Sequence, residues 1–179
     1  MNHFADILST AEVTISPADL KRMVRLVHLL DRLSREPVYR ATVAGQVPEV
    51  ARFDPGHAAV MMGYDFHLSA AGPRLIEVNT NAGGALPAWL AAHPGGPPPP
   101  QLKRRLLAMF CAELRAQSRG RLRQPGCVAI LDETPEQQFL YPEMQAFARL
   151  FREAGIAAAV ARPPDTCTIL SASPWMRGP

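Results

Sequence analysis

Glu77 and Asn79 stand two residues apart in the run Pro73-Arg-Leu-Ile-Glu-Val-Asn79, and Asp65 stands in the preceding run Met62-Gly-Tyr-Asp-Phe-His-Leu68. Two carboxylates and a carboxamide are hard oxygen donors, which suit magnesium or manganese better than zinc or copper. They can act together only if the chain brings them to one place. Both runs have strand length, and Ser69 to Gly72 between them reads as a turn. Alternation puts Asp65 and His67 on one face of the first strand, and Leu75, Glu77 and Asn79 on one face of the second. A hairpin centred on Ala71 opposes residue 65 to 77 and residue 63 to 79, gathering Asp65, Glu77 and Asn79 while Tyr64, Phe66, Ile76 and Val78 face the core. Facing carboxylates with no Lys or Arg between them repel, and a divalent cation would relieve this. The alternative is an exposed two-stranded edge with polar residues on its wet side, which would show the same alternation.

Thr80-Asn-Ala-Gly-Gly84 follows directly. Consecutive glycines let backbone N–H groups approach an anion, and a short helix beginning near Ala85 would add the positive end of its dipole. Gly83 and Gly84 as simple turn formers are the other reading.

The elements that must position these residues are legible from periodicity. Ser16-Pro-Ala-Asp19 is a helix start, and Leu20, Met23, Val24, Val27, Leu30 and Leu33 continue at helical spacing until Glu36-Pro37, giving a helix over 17–35. A short helix is expected at 38–45, strands at 58–68 and 73–79, and a short helix at 85–92. Pro94-Gly-Gly-Pro-Pro-Pro-Pro100 is a stiff connector. Beyond it come a helix over 101–117, a buried-type strand Cys127-Val-Ala-Ile-Leu131, a helix over 142–154 stopped by Gly155, and a second buried-type strand at 156–161. Strand, helix, strand implies a right-handed parallel crossover. The fold class is therefore α/β, an α+β mixture: an antiparallel hairpin with helices, then the start of a parallel βαβ layer. The expected division is 1–93, a linker at 94–100, and 101–179 with an irregular tail. Two parallel strands and one helix leave sheet edges open, so the chain is expected to be a truncated copy of something longer.

A hydrophobic content of 47% over 179 residues allows one ordinary core or two small ones and excludes a disordered chain. No stretch approaches the roughly 18 apolar residues of a membrane span, and Asp6 and Glu12 interrupt any signal peptide, so a cytoplasmic protein without a membrane partner is expected. Cys111, Cys127 and Cys167 lack metal or disulfide spacing. Arginine dominates the basic residues, Lys21 and Lys103 being the only lysines. Arg104, Arg105, Arg115, Arg119, Arg121 and Arg123 cluster without interleaved aromatics, which reads as a solvated helix face and basic loop; nucleic acid is not the expected partner.

Asp65-Phe-His-Leu, a glycine-containing turn and Leu75-Ile-Glu-Val-Asn-Thr-Asn-Ala-Gly-Gly84 together resemble the metal-binding end of the ATP-grasp fold, as in D-alanine–D-alanine ligases and glutathione synthetases. The resemblance covers about 20 residues. It implies that Asp65, Glu77 and Asn79 hold magnesium ions bridging ATP phosphates and that Gly83 and Gly84 lie near the phosphoryl-transfer centre. Asn81 and His67 are the candidates for the substrate side, His67 sharing the face of the ligands as a supporting residue and not as a catalyst. Its order, with only about 60 residues ahead of the motif and an α/β segment after it, resembles the circularly permuted ATP-grasp proteins related to glutathionylspermidine synthetase. The implied activity is an ATP-dependent ligase joining a small-molecule carboxylate to an amine through an acylphosphate, with Mg2+ or Mn2+ and ATP required and a homo-oligomer compatible with it. Asp132 and Glu133, ending the first parallel strand, would then lie where open α/β sheets bind ligands, or be solvated loop acids. The family's phosphate-clamping lysines have no counterpart on a strand or glycine-rich loop of this chain, so the chain alone is expected to be inactive. The competing reading is a non-enzymatic α/β binding or interaction module.

Overall fold

The computed structural model describes residues 9, 11–53, 56, 59–80, 82–93 and 96–163. The chain is of mixed α/β class and divides into two compact units, one of Ala11–Ala82 and one holding the described residues from Gly83 onward.

The first unit opens with helix α1, Pro17–Arg35. Ser16 caps it: the Asp19 N–H donates to Ser16 Oγ at 3.0 Å, and the Ser16 hydroxyl donates to the Asp19 carboxylate at 2.8 Å. Pro17 takes the first helical position, where its missing N–H costs nothing. Pro37 ends α1 and begins α2, Pro37–Val43, and one turn of 3-10 helix follows at Glu49–Arg52. The hairpin consists of β1, Met62–Ser69, and β2, Gly72–Thr80, antiparallel around Ala70-Ala71. Gly72 lies in the left-handed region with φ of 103°, and Ser69 Oγ donates to its carbonyl at 2.9 Å. Strand β1 starts at Met62 rather than at 58; residue 58 lies outside the described residues and 59–61 are not strand. Helix α1 packs against α2 and β2, and Met23 is the only buried residue among those described in this unit.

Pairing runs without interruption from Ser69↔Gly72 to Phe66↔Leu75, then resumes at Asp65↔Glu77 and continues to Met62↔Thr80. Ile76 therefore opposes no residue of β1. It is the extra residue of a β-bulge, and it changes which side chains share a face. Leu75 pairs with half-buried Phe66 and is itself half-buried, so it lies opposite Glu77 and Asn79 and not beside them. Ile76 and Val78, expected to face the core, are 66% and 42% exposed. The alternation assumed from sequence fails at Ile76, where one unpaired residue shifts the two-residue period, whereas Val78 keeps the face of its half-buried partner Tyr64 and is open to solvent there.

The second unit carries α3, Ala85–Ala92, and α4, Pro100–Gln117, then β3, Cys127–Leu131, α5, Tyr141–Glu153, and β4, Ala157–Ala161. β3 and β4 pair in parallel, Cys127↔Ala157 through Leu131↔Ala161, and α5 packs on both. Phe147, Ala148, Leu150 and Phe151 of α5, with Ile156, Ala161 and Leu106, form its core. Phe110 of α4 meets Phe147 and Phe151 edge-on at 5.8 and 5.0 Å. Gly155 ends α5 with φ of 78°, which lets the Ile156 N–H return to the Phe151 carbonyl at 2.9 Å. On the surface the Lys103 ammonium donates to Glu153 at 2.7 Å and holds that carboxyl below its usual range.

The short helix at Ala85–Ala92 belongs with the downstream unit, so the division falls at Ala82/Gly83, ahead of the Pro/Gly-rich stretch that sequence marks as the connector. The physical tie is Glu143, described below. No helix among the described residues is long and apolar enough to cross a membrane.

Candidate functional site

Asp65 and Glu77 are cross-strand partners, and Asn79 pairs with Gly63 one step further along the same face. The Asn79 carboxamide Nδ2 donates to Glu77 Oε1 at 2.8 Å and to Asp65 Oδ2 at 3.3 Å. One amide nitrogen thus touches both carboxylates, whose contacted oxygens can be no further apart than those two hydrogen bonds laid end to end. All three residues are exposed. At such a separation two unit negative charges repel by about 1 kcal/mol in water and more where the protein excludes it. The amide hydrogens of Asn79 soften this repulsion but carry no full charge.

The donor set fits a small divalent ion. Rotating the Asn79 carboxamide by half a turn replaces Nδ2 with Oδ1, which would give three protein oxygens facing one point, with the exposed side left to water or ligand oxygens. Magnesium commonly retains several such water ligands. Among the described residues no group of three or more His, Cys, Asp or Glu side chains is placed to hold a metal ion.

Gly63 makes room for this arrangement. A Cβ at residue 63 would lie 2.9 Å from the Ala82 Cβ and 3.6 Å from the Asn79 Cβ. The Ala82 N–H donates to the Met61 carbonyl at 3.2 Å, so the chain after β2 stays close to β1 and cannot yield easily.

The glycines after the hairpin are differently engaged. The Gly84 N–H donates to Glu143 Oε2 at 2.6 Å and the Leu86 N–H to Glu143 Oε1 at 3.2 Å. Gly84 has φ of 101°, and a Cβ at Gly83 would stand 2.8 Å from Glu143 Oε2. Glu143 is 3% exposed and lies in the first turn of α5, so one buried carboxylate serves two otherwise unpaired donors at the start of α3 and favours the positive ends of two helix dipoles. The backbone donor expected to meet a phosphate at Gly84 is held by the protein's own carboxylate. Gly83 and Gly84 belong to the downstream unit, whereas Asp65, Glu77 and Asn79 belong to the upstream one.

Of the remaining residues, His67 lies on the carboxylate face, opposite Arg74, and is exposed. Asn81 lies outside the described residues. Asp132 accepts the Thr134 N–H at 2.9 Å, a local turn contact at the end of β3. Cys111 and Cys127 are free thiols.

Glu143 is a residue that periodicity does not bring out. Its signal in the sequence is Tyr141-Pro-Glu143 at a helix start, where an acid suits the dipole, but nothing local says that it points at another helix. No protein-family model, no curated protein and no solved structure matches the chain.

Proposed function

We propose that the hairpin is a magnesium- or manganese-binding element of ATP-grasp type, and that it serves an ATP-dependent ligation of a small-molecule carboxylate to an amine. The observation carrying this reading is the convergence of Asp65, Glu77 and Asn79 through cross-strand register and two hydrogen bonds. Phosphoryl transfer depends on positioning and charge neutralisation, and a divalent ion bound here would supply neutralisation for phosphate oxygens. Asp65 and Glu77 would provide the negative charge that attracts the ion. Asn79 would provide a neutral third oxygen, and Gly63 the space beside the Asn79 Cβ.

The glycine segment is left out of this assignment, because the Gly84 N–H already donates to Glu143. Lys21 in α1 and Lys103, paired with Glu153, supply no phosphate clamp, so the reading assigns this chain a metal-site role and not a complete nucleotide site. The second reading, a non-enzymatic α/β module, draws on the same two facts.

Titration of the full chain with Mn2+ and Mg-ATP separates the readings. The first expects saturable binding that Asp65→Ala and Glu77→Ala each abolish, with circular dichroism unchanged. Equal, weak binding by all three proteins would support the module and sink the metal site.

A further inference from the structure

The β-bulge adds a cation to the carboxylate face. In an unbroken strand Arg74, three residues from Glu77, would point to the opposite side. Because Ile76 is unpaired, Arg74 opposes His67 while Glu77 opposes Asp65. Asp65 and His67 are two apart on the regular strand β1 and share a face, and directly paired residues of neighbouring strands also share one. Arg74 therefore lies on the side of Asp65, Glu77 and Asn79, displaced along the strand by two residues of β1, or about 7 Å. An arginine side chain spans a comparable length.

Arg74 is exposed and joins no ion pair among the described residues, even though two carboxylates share its face. By contrast Arg22, Arg35, Lys103 and Arg162 each pair with an acid. Asp65 and Glu77 take their hydrogen bonds from Asn79 instead. The face thus presents two carboxylates and a carboxamide at one end, and an uncommitted guanidinium with His67 opposite it at the other.

We propose that Arg74 is the anion-binding partner of this site, taking phosphoryl oxygens of a di- or triphosphate whose remaining oxygens meet the ion between Asp65 and Glu77. The proposal rests on the metal reading above. A polyphosphate facing two bare carboxylates is repelled. A divalent ion cancels that repulsion at one end of the phosphate chain, and a guanidinium, with planar paired donors matched to phosphate oxygens, holds the other. The bulge thus supplies a basic residue in a chain that has neither of its two lysines on a strand.

The test uses the full chain, calorimetric titration with Mn2+ alone, and titration with inorganic tripolyphosphate in saturating Mn2+ at fixed ionic strength. Arg74→Ala should leave Mn2+ affinity within about twofold while lowering tripolyphosphate affinity about tenfold, as expected for a lost charge-assisted pair. Arg74→Lys should recover part of that loss, keeping the charge without the planar fork. Arg104→Ala, which removes the same charge from α4, should change neither. Unchanged tripolyphosphate affinity in Arg74→Ala, with Mn2+ still bound, would overturn the role of Arg74 and leave the metal site standing. A wild-type chain that binds no Mn2+ would remove both.

Discussion

At the scale of single residues, the smallest side chain in the hairpin carries the sharpest constraint. Gly63 has no unusual φ, so backbone freedom is not why glycine is needed there; close approach is. Gly63→Val should force apart the Ala82 and Asn79 Cβ atoms, cost about 1–3 kcal/mol by overpacking, and weaken Mn2+ binding by displacing Asn79. Chemical denaturation and metal titration of the same variant measure the two effects, and a variant with wild-type stability would show that the chain after β2 yields freely. Residue identity alone makes Asp65, Glu77 and Asn79 legible as candidates. It could not make Arg74 legible, because parity counted along the sequence puts it on the wrong side. The unpaired Ile76 is a property of pairing, and no residue type at that position announces it.

At the scale of elements, the helices and the parallel strands were written plainly, since each has its own start and stop chemistry. Ser16-Pro17 begins α1 and Gly155 ends α5, and each works through one or two local hydrogen bonds. The packing of α3 was not legible, because its partner is 57 residues away: the Leu86 N–H meets Glu143. Removing that carboxylate strands two backbone donors, one of them at a buried residue. Glu143→Ala should therefore destabilise the downstream unit by about 2–4 kcal/mol. Glu143→Gln keeps a single acceptor oxygen and should lose roughly half as much. Urea denaturation ranks the three proteins, and an alanine variant as stable as wild type would mean that water replaces the carboxylate without cost.

At the scale of the whole molecule, the two units differ in how much they bury. The downstream unit holds Leu106, Phe147, Leu150, Phe151 and Ile156 in its core, while the upstream unit buries Met23 and leaves Leu20, Val24, Leu29, Ile76 and Phe53 exposed. Protection against hydrogen exchange follows buried apolar contact, so amides of β3, α5 and β4 should exchange most slowly and those of β1 and β2 markedly faster. Peptide-resolved exchange measured by mass spectrometry tests this ordering, and equal protection of both sheets would contradict it. Composition and length predicted a core of ordinary size, or two small ones, without saying that one would be so much fuller than the other.

The grip of Glu143 on Gly84, with Gly83 pressed against the same carboxylate, has a consequence for descent. The two sides of the contact are coupled: a Cβ at 83 would displace the carboxylate that the Gly84 and Leu86 N–H groups hold, and a shorter residue at 143 abandons the loop. Lineages sharing this architecture should inherit glutamate and the double glycine as one character, lost or kept together.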